Sequence, residues 1–313
     1  MLYIKAISSF EHMQQVVSLI GRNKKAPGML NGEFQKKRFV KTIAVASGKG
    51  GVGKSSITAS IAIAMRELGK NIVLVDADLG LSNITVLLNR RARYTIQDLL
   101  KGEVSLRDVL IDGPHGIKIL PAGAGVQDLT RLGEVQQLKL LDAFDTYDGD
   151  IDMMLIDNAA GISENVTFFC SAAQDVIIVT TPEPTAWADA FYLIKVLHTE
   201  YEENTFHVLV NAAATEAEAD RVFRTLLRAT DRFLDISLDY LGYLPYDEDV
   251  KEAVRSQTAF IDRYPGKIIS LRMREIAVRM LEEPDRVKGT LQFFSRTFFR
   301  HPHPLWGVIG SSD

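Results

Sequence analysis

The run Ser47-Gly48-Lys49-Gly50-Gly51-Val52-Gly53-Lys54-Ser55-Ser56 constrains this chain more than any other stretch. An apolar segment, Ile43-Ala44-Val45-Ala46, precedes it and reads as a buried strand. The segment Ile57-Thr58-Ala59-Ser60-Ile61-Ala62-Ile63-Ala64-Met65 follows it and reads as a buried helix. Strand, glycine-rich turn and helix, in that order, form a cradle for phosphate. Gly48, Gly50, Gly51 and Gly53 let the backbone curl, so that N–H groups from there through Val52 and Ser56 can point at one anion. The helix that starts there adds its positive dipole end. Lys54 can reach the β- and γ-phosphates of a nucleotide, and the Ser55 hydroxyl can ligate Mg²⁺.

Beyond this loop, strand-like and helix-like runs alternate. Buried strands are expected at Asn71–Asp76, Ile117–Leu120, Asp152–Asp157, Asp175–Thr180, Phe206–Asn211 and Leu238–Leu244. Helices are expected at Glu134–Phe144, Ala186–Tyr201 and Ala217–Leu234. The pattern predicts an α/β fold, a mostly parallel sheet with helices on both faces. Ligands of such sheets sit at the carboxyl ends of the strands. Two strands end there in acid. Asp76, followed by Asp78, closes one, and Asp157 closes the other. One or two carboxylates are what Mg²⁺ asks of a protein, because it keeps several of its waters. An acid on a loop can also place a water in line with a γ-phosphate. Asn211, at the end of another strand, has an amide able to pair with adenine.

Composition narrows the class. At 313 residues the chain can bury one large α/β core, and its 46% hydrophobic and 24% charged content is that of a globular protein. A net charge of −4 gives no global argument for a nucleic-acid binder, and no sequence-specific DNA binding is expected. The single cysteine, Cys170, excludes an intramolecular disulfide framework and suits a reducing cytoplasm. No histidine–cysteine cluster suggests a structural metal, and no nucleophile elbow is present. No apolar run approaches the ~20 residues needed to span a bilayer. A cytoplasmic protein is expected, with any membrane contact peripheral and on the inner face.

Three regions follow. Residues 1–40 hold a short helical pattern, Phe10, Met13, Val16, Val17 and Ile20, and then a basic linker. This region reads either as a docking peptide or as a disordered start. Residues 41–283 are the α/β domain. Residues 284–313 carry Val287, Leu291, Phe294 and Phe298 at spacings of four, three and four, with Arg286, Lys288, Arg296 and Arg300 beside them. Such an aromatic, basic helix suits an anionic lipid surface; the alternative is packing on the domain, and both hold if ATP releases the helix.

Lys49 stands near the start of the loop, ahead of Lys54, and is not needed to cradle phosphates in its own subunit. Spacing alone leaves it as a solvated loop lysine or a functional one. The stretch Lys49-Gly50-Gly51-Val52-Gly53-Lys54-Ser55 resembles the deviant phosphate loop of the MinD/ParA ATPases, within the SIMIBI class of P-loop NTPases. In that family the first lysine crosses to the partner subunit's ATP, so the resemblance implies an ATP-dependent homodimer in which Lys49, Lys54 and Asp78 serve catalysis. The run Asp76-Ala77-Asp78-Leu79-Gly80-Leu81-Ser82-Asn83 matches the family's switch I. It implies Asp76 in the outer shell of Mg²⁺, with Ser55 and Asp157 as the other metal residues, and Asp78 on the attacking water. Asn158-Ala159-Ala160-Gly161 looks like switch II, where the backbone of Ala160 and Gly161 would sense the γ-phosphate; the family more often has Ser or Thr at the position of Asn158. Pro245, Tyr246 and Asp247 match its second base-contacting loop.

Several stretches look like the flagellar-number-regulator branch, FlhG (also FleN or YlxH). These include Gly161–Val166, Val179–Ala186 with Asp189–Lys195, and Leu241–Asp247. The branch implies slow, dimer-activated, Mg²⁺-dependent ATP hydrolysis that controls flagellar number or placement through a membrane-associating switch. Its implied partners are an FlhF-type GTPase, flagellar switch components or a flagellar transcription regulator. The branch's N-terminal activating signature is poorly kept, sharing only Gln and Leu within Gln14–Ile20. Two other roles remain open at this point: a ParA-like or transcription-factor-linked regulator on nucleic acid, and a MinD-type division-site regulator.

Overall fold

The computed structural model describes residues 39–80, 82–123, 131–283, 288 and 292–294. The expectations for the N-terminal helix and linker lie outside the described residues, as do those for Leu81, Val287, Leu291 and Phe298.

Eight strands form one sheet in the order β3-β4-β2-β5-β1-β6-β7-β8. They are β1 (Lys41–Ser47), β2 (Ile72–Ala77), β3 (Ile111–Asp112), β4 (Lys118–Leu120), β5 (Met153–Ala160), β6 (Asp175–Thr180), β7 (Thr205–Ala213) and β8 (Ser237–Pro245). All neighbours pair in parallel except the two-residue β3, which pairs antiparallel with β4. This is the expected sheet, and β3 is its one departure. The central strand β1 is buried at all seven positions because both sheet faces are covered. Its side chains alternate accordingly: Ile43 and Val45 enter one core, Ala44 and Ala46 the other.

Helices α1 (Lys54–Glu67), α9 (Asp249–Arg255), α10 (Phe260–Arg263) and α11 (Ile268–Glu282) contribute to one core. Helices α5 (Glu134–Thr146), α6 (Glu164–Ala172), α7 (Pro184–Tyr201) and α8 (Glu216–Phe233) contribute to the other. Three short helices, α2 (Ile84–Leu87), α3 (Ile96–Lys101) and α4 (Leu106–Val109), fill the crossing from β2 to β3. α7 begins two residues before the expected Ala186 because Pro184 fits a first helical turn, where no N–H partner is needed.

Of the tail, residues 292–294 pack on the domain. Phe294, expected on a lipid-facing stripe, is 4% exposed and belongs to the core. It lies in a turn with φ of +58°, which a regular right-handed helix through that position does not allow. Phe293 is fully buried beside it, stacked on Phe169 at 6.2 Å and edge-on to Phe144 at 5.4 Å. Its N–H donates to the Ala172 carbonyl. The physical reason is aromatic complementarity. Phe144 and Phe169 present ring faces and edges that two further phenylalanines complete. Lys288 pairs with the buried Glu203, whose carboxyl is pushed up by burial.

Candidate functional site

β1 ends at Ser47 beneath a switch point of the sheet, where β5 lies on one side and β6 on the other. Residues 48–53 then turn the chain into α1. Gly51 and Gly53 have φ of +79° and +90°, which favours glycine at both. At Gly48 a Cβ would lie 2.2 Å from the Asp189 carbonyl carbon, so the first turns of α7 press backbone against backbone. The Ser47 hydroxyl donates to the Lys49 carbonyl, and the Ser47 carbonyl accepts from the Gly161 N–H at 2.9 Å. The phosphate loop and the expected switch II are therefore joined directly.

A cavity of about 940 Å³ opens over this loop. Gly50, Gly51, Val52, Gly53, Lys54, Ser55 and Ser56 line it on one side. Asp78, Gly80, Ser82 and Asn83 face it from the β2 end, and Ala160 from the β5 end. The expected phosphate residues from Gly50 to Ser56, Asp78 and Ala160 thus share one space, while Gly48 and Lys49 stand outside its lining.

Two buried carboxylates bond two of its lining residues, Asp76 to Ser82 and Asp157 to Lys54. Asp76 and Asp157 are register partners on the adjacent strands β2 and β5, and neither side chain is exposed. One oxygen of Asp76 accepts three bonds, from the Ser82 hydroxyl and from the N–H groups of Asn83 and Ile84, at 3.0–3.1 Å. Its other oxygen is buried without a partner. One oxygen of Asp157 accepts from Lys54 Nζ at 2.8 Å and the Thr58 hydroxyl at 3.2 Å, and the other is buried without a partner. Burial, and then the charge of Asp157, push the Asp76 carboxyl up to about 7. Two orphaned buried oxygens on paired strands fit a hard divalent cation and its waters. Among the described residues no group of three or more His, Cys, Asp or Glu forms a cage for a metal. The donor set therefore suits a cation that keeps most of its own waters.

The two lysines of the loop are both engaged. Lys54 is 8% exposed and bound to Asp157. Lys49 Nζ bonds Glu183 Oε2 at 2.5 Å and the Thr185 hydroxyl at 2.8 Å, both in its own chain. Asp78 accepts from the Asn83 amide at 2.9 Å. Asn158 donates to the Val45 carbonyl and so stitches β5 to β1 under the loop, a task the usual Ser or Thr would meet with a shorter reach.

The expected base-contacting residues stand outside the cavity's lining. The Asn211 amide donates to the Val52 carbonyl at 2.8 Å, which fixes the phosphate loop from behind. Tyr246 is exposed and its N–H bonds the Ala213 carbonyl, so the Pro245–Asp247 loop sits beside the end of β7. Asp247 accepts from Lys267 and from the Asp249 N–H. Sequence reading assigned no role to Thr58, Glu183 or Thr185. Thr58 lies one helical turn after Lys54, which is the signal that could have found it. Glu183 and Thr185 flank a proline at the start of α7, and nothing local pairs them with residue 49.

A family model described as "ParA: NUBPL iron-transfer P-loop NTPase" matches residues 38–281. The chain is 40% identical to Antiactivator FleN of Pseudomonas aeruginosa over 265 residues, covering 84% of this chain and 95% of that one. It is 30% identical to the flagellum site-determining protein YlxH of Helicobacter pylori, covering 78% and 83%. The fold is similar to that of the septum site-determining protein MinD of Pyrococcus horikoshii in complex with Mg-ADP. That similarity has a TM-score of 0.65 at 22% identity, over 77% of this chain and 96% of that one.

Proposed function

This chain belongs to the ParA/MinD family of P-loop NTPases, and from that membership we propose that it is an ATP-driven dimerising switch that sets the number or placement of flagella. The flagellar role rests on its likeness to FleN and YlxH along most of its length. The observation that carries the switch is Lys49. A second lysine stands in the loop whose Lys54 lines the cavity, and Glu183 and Thr185 hold it. A second subunit's phosphates would be a competing anion for it. Iron transfer, as in the description of the family model, has no support in the ligand set. Cys170 is the chain's only cysteine, and burial pushes its thiol up to about 12.

The chemistry follows from the geometry. ATP would enter with its phosphates over the N–H groups of the loop. Lys54 would turn from Asp157 to the β- and γ-phosphates, a short swing between two anions. Mg²⁺, held from Ser55 and by waters on Asp76 and Asp157, would neutralise phosphate charge. Asp78 would orient the attacking water. Hydrolysis would rest on positioning and be slow. Gly161, tied to Ser47, would report the γ-phosphate to α6, whose first turn Ser163 caps. Phe293 leans on that same helix. ATP-driven dimerisation would release the tail to a membrane, where two basic aromatic segments bind far better than one.

One experiment tests both halves. Asp78→Ala should trap an ATP-bound dimer by light scattering. Removing residues 286–313 from it should leave the dimer but abolish sedimentation with vesicles containing phosphatidylglycerol. A monomer under ATP ends the switch reading, and retained vesicle binding ends the tail reading.

A further inference from the structure

Helices α7 and α8 leave an aromatic and basic surface exposed. Tyr192 is 57% exposed and Phe233 is 64% exposed. Phe191 joins them, edge-on to Tyr192 at 5.9 Å and to Phe233 at 6.2 Å. The Arg232 guanidinium lies 5.3 Å from the Phe233 ring. Arg221, Arg224, Arg228 and Arg232 are all exposed, and their spacings of three, four and four put them along one side of α8. Lys195, also exposed, stands one turn beyond Phe191 and Tyr192 on α7. Exposed Tyr, Phe and Arg together are what the centres of protein interfaces are made of.

We propose that this α7–α8 surface docks a partner protein through an acidic segment that carries an apolar anchor. The anchor would sit on Tyr192 and Phe233, and the acids would meet Arg228 and Arg232. Charge selects this occupant. The chain's own terminal segments outside the described residues are basic: residues 1–38 hold seven Lys and Arg against two Glu, and residues 295–313 hold two Arg against one Asp. A nucleic acid or lipid surface needs a net positive field. Here Glu216, Glu218, Asp220 and Asp231 stand among the four arginines of α8, and the whole chain carries −4. Individual guanidiniums can still pair with individual carboxylates at short range. The proposal does not depend on which process the switch serves.

The probe is a short labelled peptide of Asp, Glu, Leu and Phe, titrated by fluorescence anisotropy against the full chain with ATP and Mg²⁺. Saturable binding is expected. It should weaken about tenfold in Arg228→Glu/Arg232→Glu and return when the peptide's acids are replaced by lysines. Tyr192→Ser/Phe233→Ser should weaken both peptides, while all variants keep ATP binding as a check of folding. The proposal is overturned if the acidic peptide does not bind, or if its Asn/Gln counterpart binds as well. It is equally overturned if binding ignores both pairs of substitutions. Arginine-dependent binding of single-stranded DNA or of phosphatidylglycerol vesicles in place of the peptide would overturn it in favour of those surfaces.

Discussion

A buried lysine–aspartate pair stands at each end of the central strand, and the two do different work. At the carboxyl end Lys54 meets Asp157 at 2.8 Å. At the amino end Lys41 meets Asp175 at 3.5 Å. All four side chains are at most 8% exposed. Lys41 also donates to the carbonyls of Met280 and Glu283, closing the end of α11. His207 of β7 stands 3.8 Å from Asp175 on the far side. That lysine has no other task left. At the carboxyl end Asp157 and Asp76 each keep one buried oxygen without a partner, and their bonded neighbours Lys54 and Ser82 line a cavity. The same ion pair is a fastening where its lysine also closes a helix end, and a waiting position where its lysine lines an open cavity.

The comparison can be broken in four places. Lys54→Ala should abolish ATP binding in a fluorescent-nucleotide titration. It should also cost about 3–5 kcal/mol in urea unfolding, because Asp157 is left buried without a cation. Unchanged affinity would mean that the carboxyl-end pair is a fastening as well. A slightly smaller effect is expected from pH. The Asp76 carboxyl at about 7 lies above its ordinary 3.8, so the folded nucleotide-free protein holds that proton more tightly than the unfolded chain does. Stability should therefore be greatest below about pH 4 for this group and decline as pH rises to about 7, by roughly 4 kcal/mol at most. Asp76→Asn should flatten that slope in thermal melts, and a slope that survives would assign it elsewhere.

Lys41→Met should cost about 3 kcal/mol in the same unfolding assay and leave nucleotide affinity unchanged. A loss of affinity would show that the two ends are coupled. Smallest of all, Glu183→Gln should change stability by less than about 1 kcal/mol, since its pair with Lys49 is largely exposed. Freed from that partner, Lys49 should let the ATP-dependent dimer form at lower protein concentration in light scattering.

What could be read in advance follows the range of the forces involved. The parallel strands and the phosphate loop are local patterns: short apolar runs that stop at Ser47, Asp76 or Asp157, and glycines where φ turns positive. The short helices α2 to α4 were not legible because four to six residues carry too little periodicity. Their marks were the capping pairs Thr95 with Asp98 and Ser105 with Asp108. Partners far apart in the chain were out of reach. Lys54 and Asp157 are 103 residues apart, and Lys49 and Glu183 are 134 apart. The tail shows the deeper limit. An apolar stripe says that a surface must be covered, and the cover for Phe294 is Phe144, at 5.6 Å.

Phe293 and Phe294 also bear on how the protein is made. Phe144, Phe168 and Phe169 form a half-built aromatic nest that only residues near position 293 complete. A ribosome releases the nest long before it supplies the lid. During synthesis every molecule passes through an interval in which the sheet can assemble while this nest faces water, a sticky surface of the kind that chaperones recognise.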